Sequence, residues 1–339
     1  MVGKTKKSLL SSNILLLPSP MKDFASCFSD HAVRVADVSC SGHASVSTGD
    51  SSSTPVSTQL HSRSIQSSAA CAYRSKLTSG KELLIRVTWT RSNAGTGSSL
   101  SIGVDPVPCN DSSPHILRKK KGTRTFPMAT SSGHNTMVAL FWDYTSAKFG
   151  SGPEPVSGFY VIVVVDSEFA LLIGDTCEET LKKLEGTIKK AEFKLASRKE
   201  QVLGHVAHTT RARFRDGGAE HEIMISCSKK CDDDDEDSPP EEVLSVSVDN
   251  KRVVQVRRLK WNFRGNQTIF VDGAPVDLMW DMRDWFFGYP TTGGFANFLF
   301  RARSTLDSRL WLEEEQCLWH GRCHSPPFSL LVQSFRTPS

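Results

Sequence analysis

The sequence lacks every short motif that would name a chemistry at sight. It has no Gly-x-x-x-x-Gly-Lys-Ser/Thr phosphate loop, no Gly-x-Ser-x-Gly nucleophile elbow and no His-Glu-x-x-His zinc pair. It has no run of 18 apolar residues, so no membrane-spanning helix is expected. Its nine cysteines are odd in number and scattered over 339 residues, which excludes a compact disulfide framework and favours a reducing compartment, cytoplasm or nucleus. Charge of one sign is also missing: a net +4 is a weak basic bias that demands no polyanionic partner. No internal repeat is legible.

What is present is strand patterning. Leu244, Val246 and Val248 alternate with Ser245, Ser247 and Asp249, giving one apolar and one wet face. Asp249-Asn250 and Asp272-Gly273 are turn dipeptides that accept positive φ, as two-residue hairpins require. Lys81–Arg91, Ser99–Val104, Met137–Tyr144, Phe193–Leu203, Val206–Phe214, Ala219–Cys227, Phe295–Arg303 and Phe328–Phe335 also read as strands. Phe159–Val165 is continuously apolar and β-branched, the mark of a central strand covered on both faces. Leu181, Leu184 and Ile188 predict one helix over Cys177–Lys190, capped by Asp175 or Thr176. Val254 and Val256 have the opposite parity to Leu259, Trp261 and Phe263, which predicts a long strand whose apolar face switches near Arg257. About a dozen strands with one helix imply a mainly antiparallel β-sandwich or flattened barrel.

Residues 1–68 read as a disordered, Ser-rich segment, because so few large apolar side chains cannot offset the entropy of ordering. Lys4, Lys6 and Lys7 ahead of Leu9–Leu17 loosely imitate a signal or transit peptide at residues 1–20, but Ser11-Ser12-Asn13 interrupts the apolar run. A single sandwich domain is expected over 69–339, with an acidic loop at 229–242.

Several clusters are candidates for chemistry. Asp277, Asp281 and Asp284 near Trp280 and Trp285 have the composition of a glycoside hydrolase pair, where one acid protonates and a second attacks or activates water. On a strand, however, Asp277 and Asp281 stand about 13 Å apart at ~3.3 Å per residue, too far for that work. Cys317, His320, Cys323 and His324 are zinc-type donors at a spacing that fits no common module. His205 and His208 with Cys227 and Cys231 are a weaker set. The Asp232–Asp237 run lacks the glycine and terminal glutamate of a calcium loop. Arg118–Lys121 with Arg124, and Arg252, Arg257, Arg258, Lys260 and Arg264, have the composition for nucleic acid, and Arg118–Lys121 also that for anionic lipid headgroups. Trp89, Trp142, Trp261 and Trp280 fall on apolar strand faces and read as core. Trp285, Phe286 and Tyr289 flank glycines and read as exposed.

Cys27–Val35, Leu83–Trp89, Arg118–Gly122, Phe141–Asp175, Leu244–Phe287 and Phe300–Glu314 together resemble a plant family catalogued as domain of unknown function 868. The resemblance implies a plant source and a usual start at Met21, and supplies no activity. The extension before Met21 and Cys317–Pro327 depart from the family pattern. The reading that results is a non-catalytic binding or protein-interaction module with no cofactor. Its ligand face joins Arg258, Lys260 and Arg264 to Trp285, Phe286 and Tyr289, and an unidentified protein is the expected partner. The alternatives are a carbohydrate-active hydrolase at Asp277–Asp284, a glycan binder, or a basic-face nucleic-acid or lipid binder.

Overall fold

Alternation of buried and exposed side chains builds nearly every element of this chain. In Glu82–Arg91, Leu83, Ile85, Val87 and Trp89 are buried, and Ser98–Pro106 answers with Leu100, Ile102 and Val104. A computed structural model describes residues 33–35, 64–91, 98–107, 113–129, 135–176, 188–230, 240–288, 293–303 and 327–336.

The strands in chain order begin with β1 (Val33–Val35), β2 (Ile65–Lys76), β3 (Glu82–Arg91), β4 (Ser98–Pro106), β5 (His115–Leu117), β6 (Lys121–Ala129) and β7 (Asn135–Asp143). Next come β8 (Lys148–Phe149), β9 (Pro155–Ser157), β10 (Tyr160–Val165), β11 (Glu168–Gly174), β12 (Lys189–Lys190) and β13 (Glu192–Leu203). The chain continues with β14 (Ala207–Ala212), β15 (His221–Lys230), β16 (Glu241–Val248), β17 (Lys251–Val256), β18 (Arg264–Val271) and β19 (Ala274–Asp281). A short helix α1 (Arg283–Phe287) precedes β20 (Phe295–Ala302) and β21 (Ser329–Phe335).

These strands form two units with one wiring plan, so an internal repeat is present where the sequence shows none. The first unit pairs β2-β3-β4-β5 as one meander and β6-β7-β10-β11 as its facing sheet. The second pairs β14-β15-β16-β17 and β18-β19-β20-β21 in the same order. The match extends to single side chains. Gly122 stands opposite Trp142 across β6–β7, and Gly265 stands opposite Trp280 across β18–β19. Each indole N–H donates to the carbonyl three residues before its glycine, Lys119 at 2.8 Å and Asn262 at 2.9 Å. Lys121–Asp143 and Arg264–Asp281 are matching ion pairs at 2.8 and 2.9 Å. The Tyr144 N–H donates to Lys120 and the Met282 N–H to Phe263 in equivalent places. Side-chain identity is otherwise too low for the repeat to surface, apart from LSIGVD at Leu100–Asp105 and LSVSVD at Leu244–Asp249.

Each unit is a sandwich with its own apolar core. Trp89, Leu140, Val161 and Leu171 belong to the first, and Ile223, Val246, Leu278 and Phe298 to the second. The joint between them is β13. It pairs antiparallel with β2 and parallel with β21, fusing a sheet from each unit into one nine-stranded sheet. Both cores lie on the same face of that sheet, separated at β13 by a buried polar cluster. Glu200, 1% exposed, accepts hydrogen bonds from Arg198 and Thr210 and contacts His208 Nε2 at 2.6 Å. Arg198 also pairs with Glu154 at 2.8 Å and donates to the Cys71 thiol. Burial pushes the Glu200 carboxyl up, but His208 and Arg198 outweigh it and hold it below the usual range.

The fold is mainly antiparallel β, as patterned, and no described sheet closes into a barrel. β10 occupies the middle of its five-stranded sheet, as its apolar run requires. Asp249, Asn250, Asp272 and Gly273 all take positive φ in hairpin turns. Some expectations need correction. Lys189–Lys190 is a strand parallel to β11, not the end of a helix, and 177–187 lies outside the described residues. β15 runs through Lys230 and β16 starts at Glu241, which trims the acidic loop. The long strand through Arg257 does not exist: β17 stops at Val256, and Arg258 turns the chain with φ 51°.

Candidate functional site

The residues between β17 and β18 form a corner of the second unit. Leu259 pins it, being 1% exposed and donating its N–H to Glu242. The Trp261 and Asn262 N–H groups both donate to the Arg258 carbonyl, and Asn262 Nδ2 donates to the carbonyl of Arg257. That tight turn throws Trp261 outward to 85% exposure. An indole buries well over 100 Å² when packed, so leaving one in water forfeits a large burial term. Arg258 and Lys260 in the same turn and Arg264 at the start of β18 are exposed as well. Phe263 meets Phe287 edge-on at 5.5 Å, and Phe287 is itself 60% exposed.

The equivalent corner of the first unit runs through Arg118–Lys120. Arg118, Lys119, Lys121 and Arg124 line an open groove of about 530 Å³ beside Trp142. Leu117 to Gly122 spans six residues and Val256 to Gly265 spans ten, from the same ladder position, so the second corner is four residues longer. Trp261 lies in that longer connection. Both corners are basic, and only the second carries an exposed tryptophan.

The sequence-predicted ligand face is partly assembled. Arg258, Lys260 and Arg264 fall on the long corner and its exit, while α1 brings Phe286 and Phe287 beside Phe263. Trp285 and Phe286 are half-buried and pack on the core instead of standing free, with the Arg336 guanidinium 4.9 Å from the Trp285 ring. Tyr289 lies outside the described residues. Trp261, read from parity as core, is a surface residue. Aligning Lys120-Lys121-Gly122 with Phe263-Arg264-Gly265 was the signal that exposes the longer loop.

Asp277 and Asp281 lie on the outer face of β19, each held by a cation. Arg303 Nε is 2.8 Å from Asp277, which also accepts from Thr268, and Arg264 Nε is 2.9 Å from Asp281. Those hydrogen bonds and charges hold both carboxyls below the usual range. Asp284 sits in the first turn of α1. A glycosidase acid needs the opposite shift, toward a proton retained near neutrality.

Cys317, His320, Cys323 and His324 lie outside the described residues, as does Cys231. His208 is occupied by Glu200, and burial pushes the Cys227 thiol up to about 12. Among the described residues no three His, Cys, Asp or Glu side chains are grouped to hold a metal. No described helix is long and apolar enough to cross a membrane.

Fold and corners together define a β protein of two fused sandwich units, each presenting a basic turn over a glycine–tryptophan pair. The chain belongs to a family of plant proteins of unknown function (DUF868), matched over residues 64–336. No curated protein and no solved structure matches it.

Proposed function

We propose that this protein is a non-catalytic interaction module whose second unit docks a protein partner at the Trp261 corner. The observation that carries this is the 85% exposure of Trp261 in the connection that is longer in the second unit. Tryptophan and arginine are the residues that most often dominate protein interfaces, and a rigid turn holds this one at little entropic cost. Arg258 and Lys260 in the same turn and Arg264 at the start of β18 favour a partner with an apolar slot rimmed by carboxylates. The hydrolase alternative is disfavoured by the ion pairs on Asp277 and Asp281, which oppose a protonated acid.

The test is quantitative affinity capture from plant extract with three baits: the wild-type chain, Trp261→Ala, and Arg118→Gln/Lys119→Gln. The reading expects a protein retained by the wild type and the first-corner variant and lost by Trp261→Ala. Identical recovery by all three baits would refute it.

A further inference from the structure

A second site opens where β13 passes between the two units. Beside the register shift between Leu195 and Ser197, residues of β13 and of the edge strand β14 and its exit line a cleft of about 800 Å³. That volume falls in the range of small-molecule sites. Its floor is apolar, made by Leu195, Phe214 and Phe328, with the two phenyl rings 5.8 Å apart. Its rim is strongly cationic.

Arg211 near the end of β14, and Arg213 and Arg215 just beyond it, are exposed and alternate with buried Ala212 and Phe214. Among the described residues none of the three has an ion-pair partner within 4 Å, although Arg211 stands opposite Glu222 across β14–β15, whereas the other cations lining the cleft do. Lys194 is held by Asp216, Arg198 by Glu154 and Glu200, and Arg303 by Asp277. Among the described residues, Glu220 is the acidic lining residue without an ion pair. Three exposed arginines beside an apolar floor offer a multiply charged anion several cationic donors at once. The planar fork of arginine suits phosphate oxygens, which accept two parallel hydrogen bonds.

We propose that this cleft binds a small organic phosphate, with its phosphate groups on Arg211, Arg213 and Arg215 and its carbon body over Leu195, Phe214 and Phe328. This site is separate from the Trp261 corner, and the controls keep the two apart. The experiment is isothermal titration of the full chain in about 0.15 M salt, where loose surface charge is screened. The probes are ATP, fructose 1,6-bisphosphate, inositol hexakisphosphate and inorganic pyrophosphate. At least one ester is expected to saturate with a Kd below about 100 µM. Which ester it is separates a nucleotide from a sugar or inositol phosphate. Arg211→Gln/Arg213→Gln should weaken that binding by about tenfold or more. Trp261→Ala and Arg258→Gln/Lys260→Gln should leave it unchanged.

Absence of saturation by every probe overturns the proposal. So does equal binding of pyrophosphate and the esters, which removes the role of the apolar floor. Binding of a single-stranded oligonucleotide with no small phosphate bound, or equal loss in the cleft and corner variants, overturns it as well.

Discussion

A methyl group on Gly265 would stand 2.2 Å from the indole of Trp280. The ring has little freedom to retreat, because its N–H is committed to the Asn262 carbonyl and its body to the second core. The equivalent clash between Gly122 and Trp142 is milder, at 2.8 Å. Overpacking of a core costs about 1–3 kcal/mol. Gly265→Ala is therefore expected near the top of that range and Gly122→Ala near the bottom, read by urea unfolding. The reverse order would mean that the two units do not share this packing device.

His221, at the start of β15, sits between the tips of two hairpins from different sheets. Its Nδ1 lies 2.6 Å from Asp249 and its Nε2 lies 2.9 Å from Asp272, the second contact being off the line of a hydrogen bond. Burial alone pushes the imidazole down, but the two carboxylates outweigh it and raise it, while His221 in turn lowers both of them. A raised histidine stabilises the fold fully below its unfolded value, near pH 6.5, and that contribution fades as pH rises through the folded value. The depressed carboxylates contribute above about pH 4 and lose their share as pH falls through their folded values. The clasp is therefore strongest between about pH 4 and 6.5. Both carboxylates are partly exposed, so solvent screening limits it to about 1 kcal/mol. Thermal melts of wild type and His221→Gln should differ more at pH 5.5 than at pH 9. A gap that stays constant across that range removes the clasp from the stability account.

Strand existence was legible because alternation and turn chemistry are local signals. Asp249-Asn250 and Asp272-Gly273 announced their hairpins, and Phe159–Val165 announced a central strand. The repeat was not legible, because what is conserved between the units is geometry carried by a few residues: Gly122 with Trp142, Gly265 with Trp280, Lys121 with Asp143, Arg264 with Asp281. Trp261 was misread for a related reason. Leu259, Trp261 and Phe263 keep a period of two through a turn, and parity cannot tell a turn of that spacing from a strand. The arginine cleft was invisible because Arg198, Arg211 and Arg303 come from distant parts of the sequence and line one cleft only in the fold.

Glu200 sits in the joint between the two cores, and removing it takes one of two carboxylates from the half-buried Arg198 charge. Breaking one side of a buried ion pair costs about 3–5 kcal/mol, although Glu154 remains to share Arg198. Glu200→Ala is expected near 3 kcal/mol, and Glu200→Gln at roughly half of that, since the amide keeps the volume and one acceptor. A double-mutant cycle with His208→Ala should show a coupling of about 1 kcal/mol or more, because the two side chains share one hydrogen bond. Additive losses would mean that the cluster acts as separate contacts and not as a joint.

Trp261 and Trp142 give opposite predictions from the same residue type. Trp142 is buried in the first core and hydrogen-bonded, so Trp142→Ala should cost about 3–5 kcal/mol of stability. Trp261→Ala removes little buried surface and should stay within about 0.5 kcal/mol of wild type. Its loss should appear in binding: truncating an interface tryptophan at the centre of a contact costs about 2 kcal/mol or more, roughly thirtyfold in Kd. Arg258→Gln/Lys260→Gln should instead slow association and flatten its salt dependence, with dissociation little changed, because rim charges act mainly on encounter. The measurement is surface plasmon resonance of the wild type and both variants on the captured partner, alongside their melting curves. A Trp261→Ala chain that binds as the wild type does, at unchanged stability, would move the interface away from this corner.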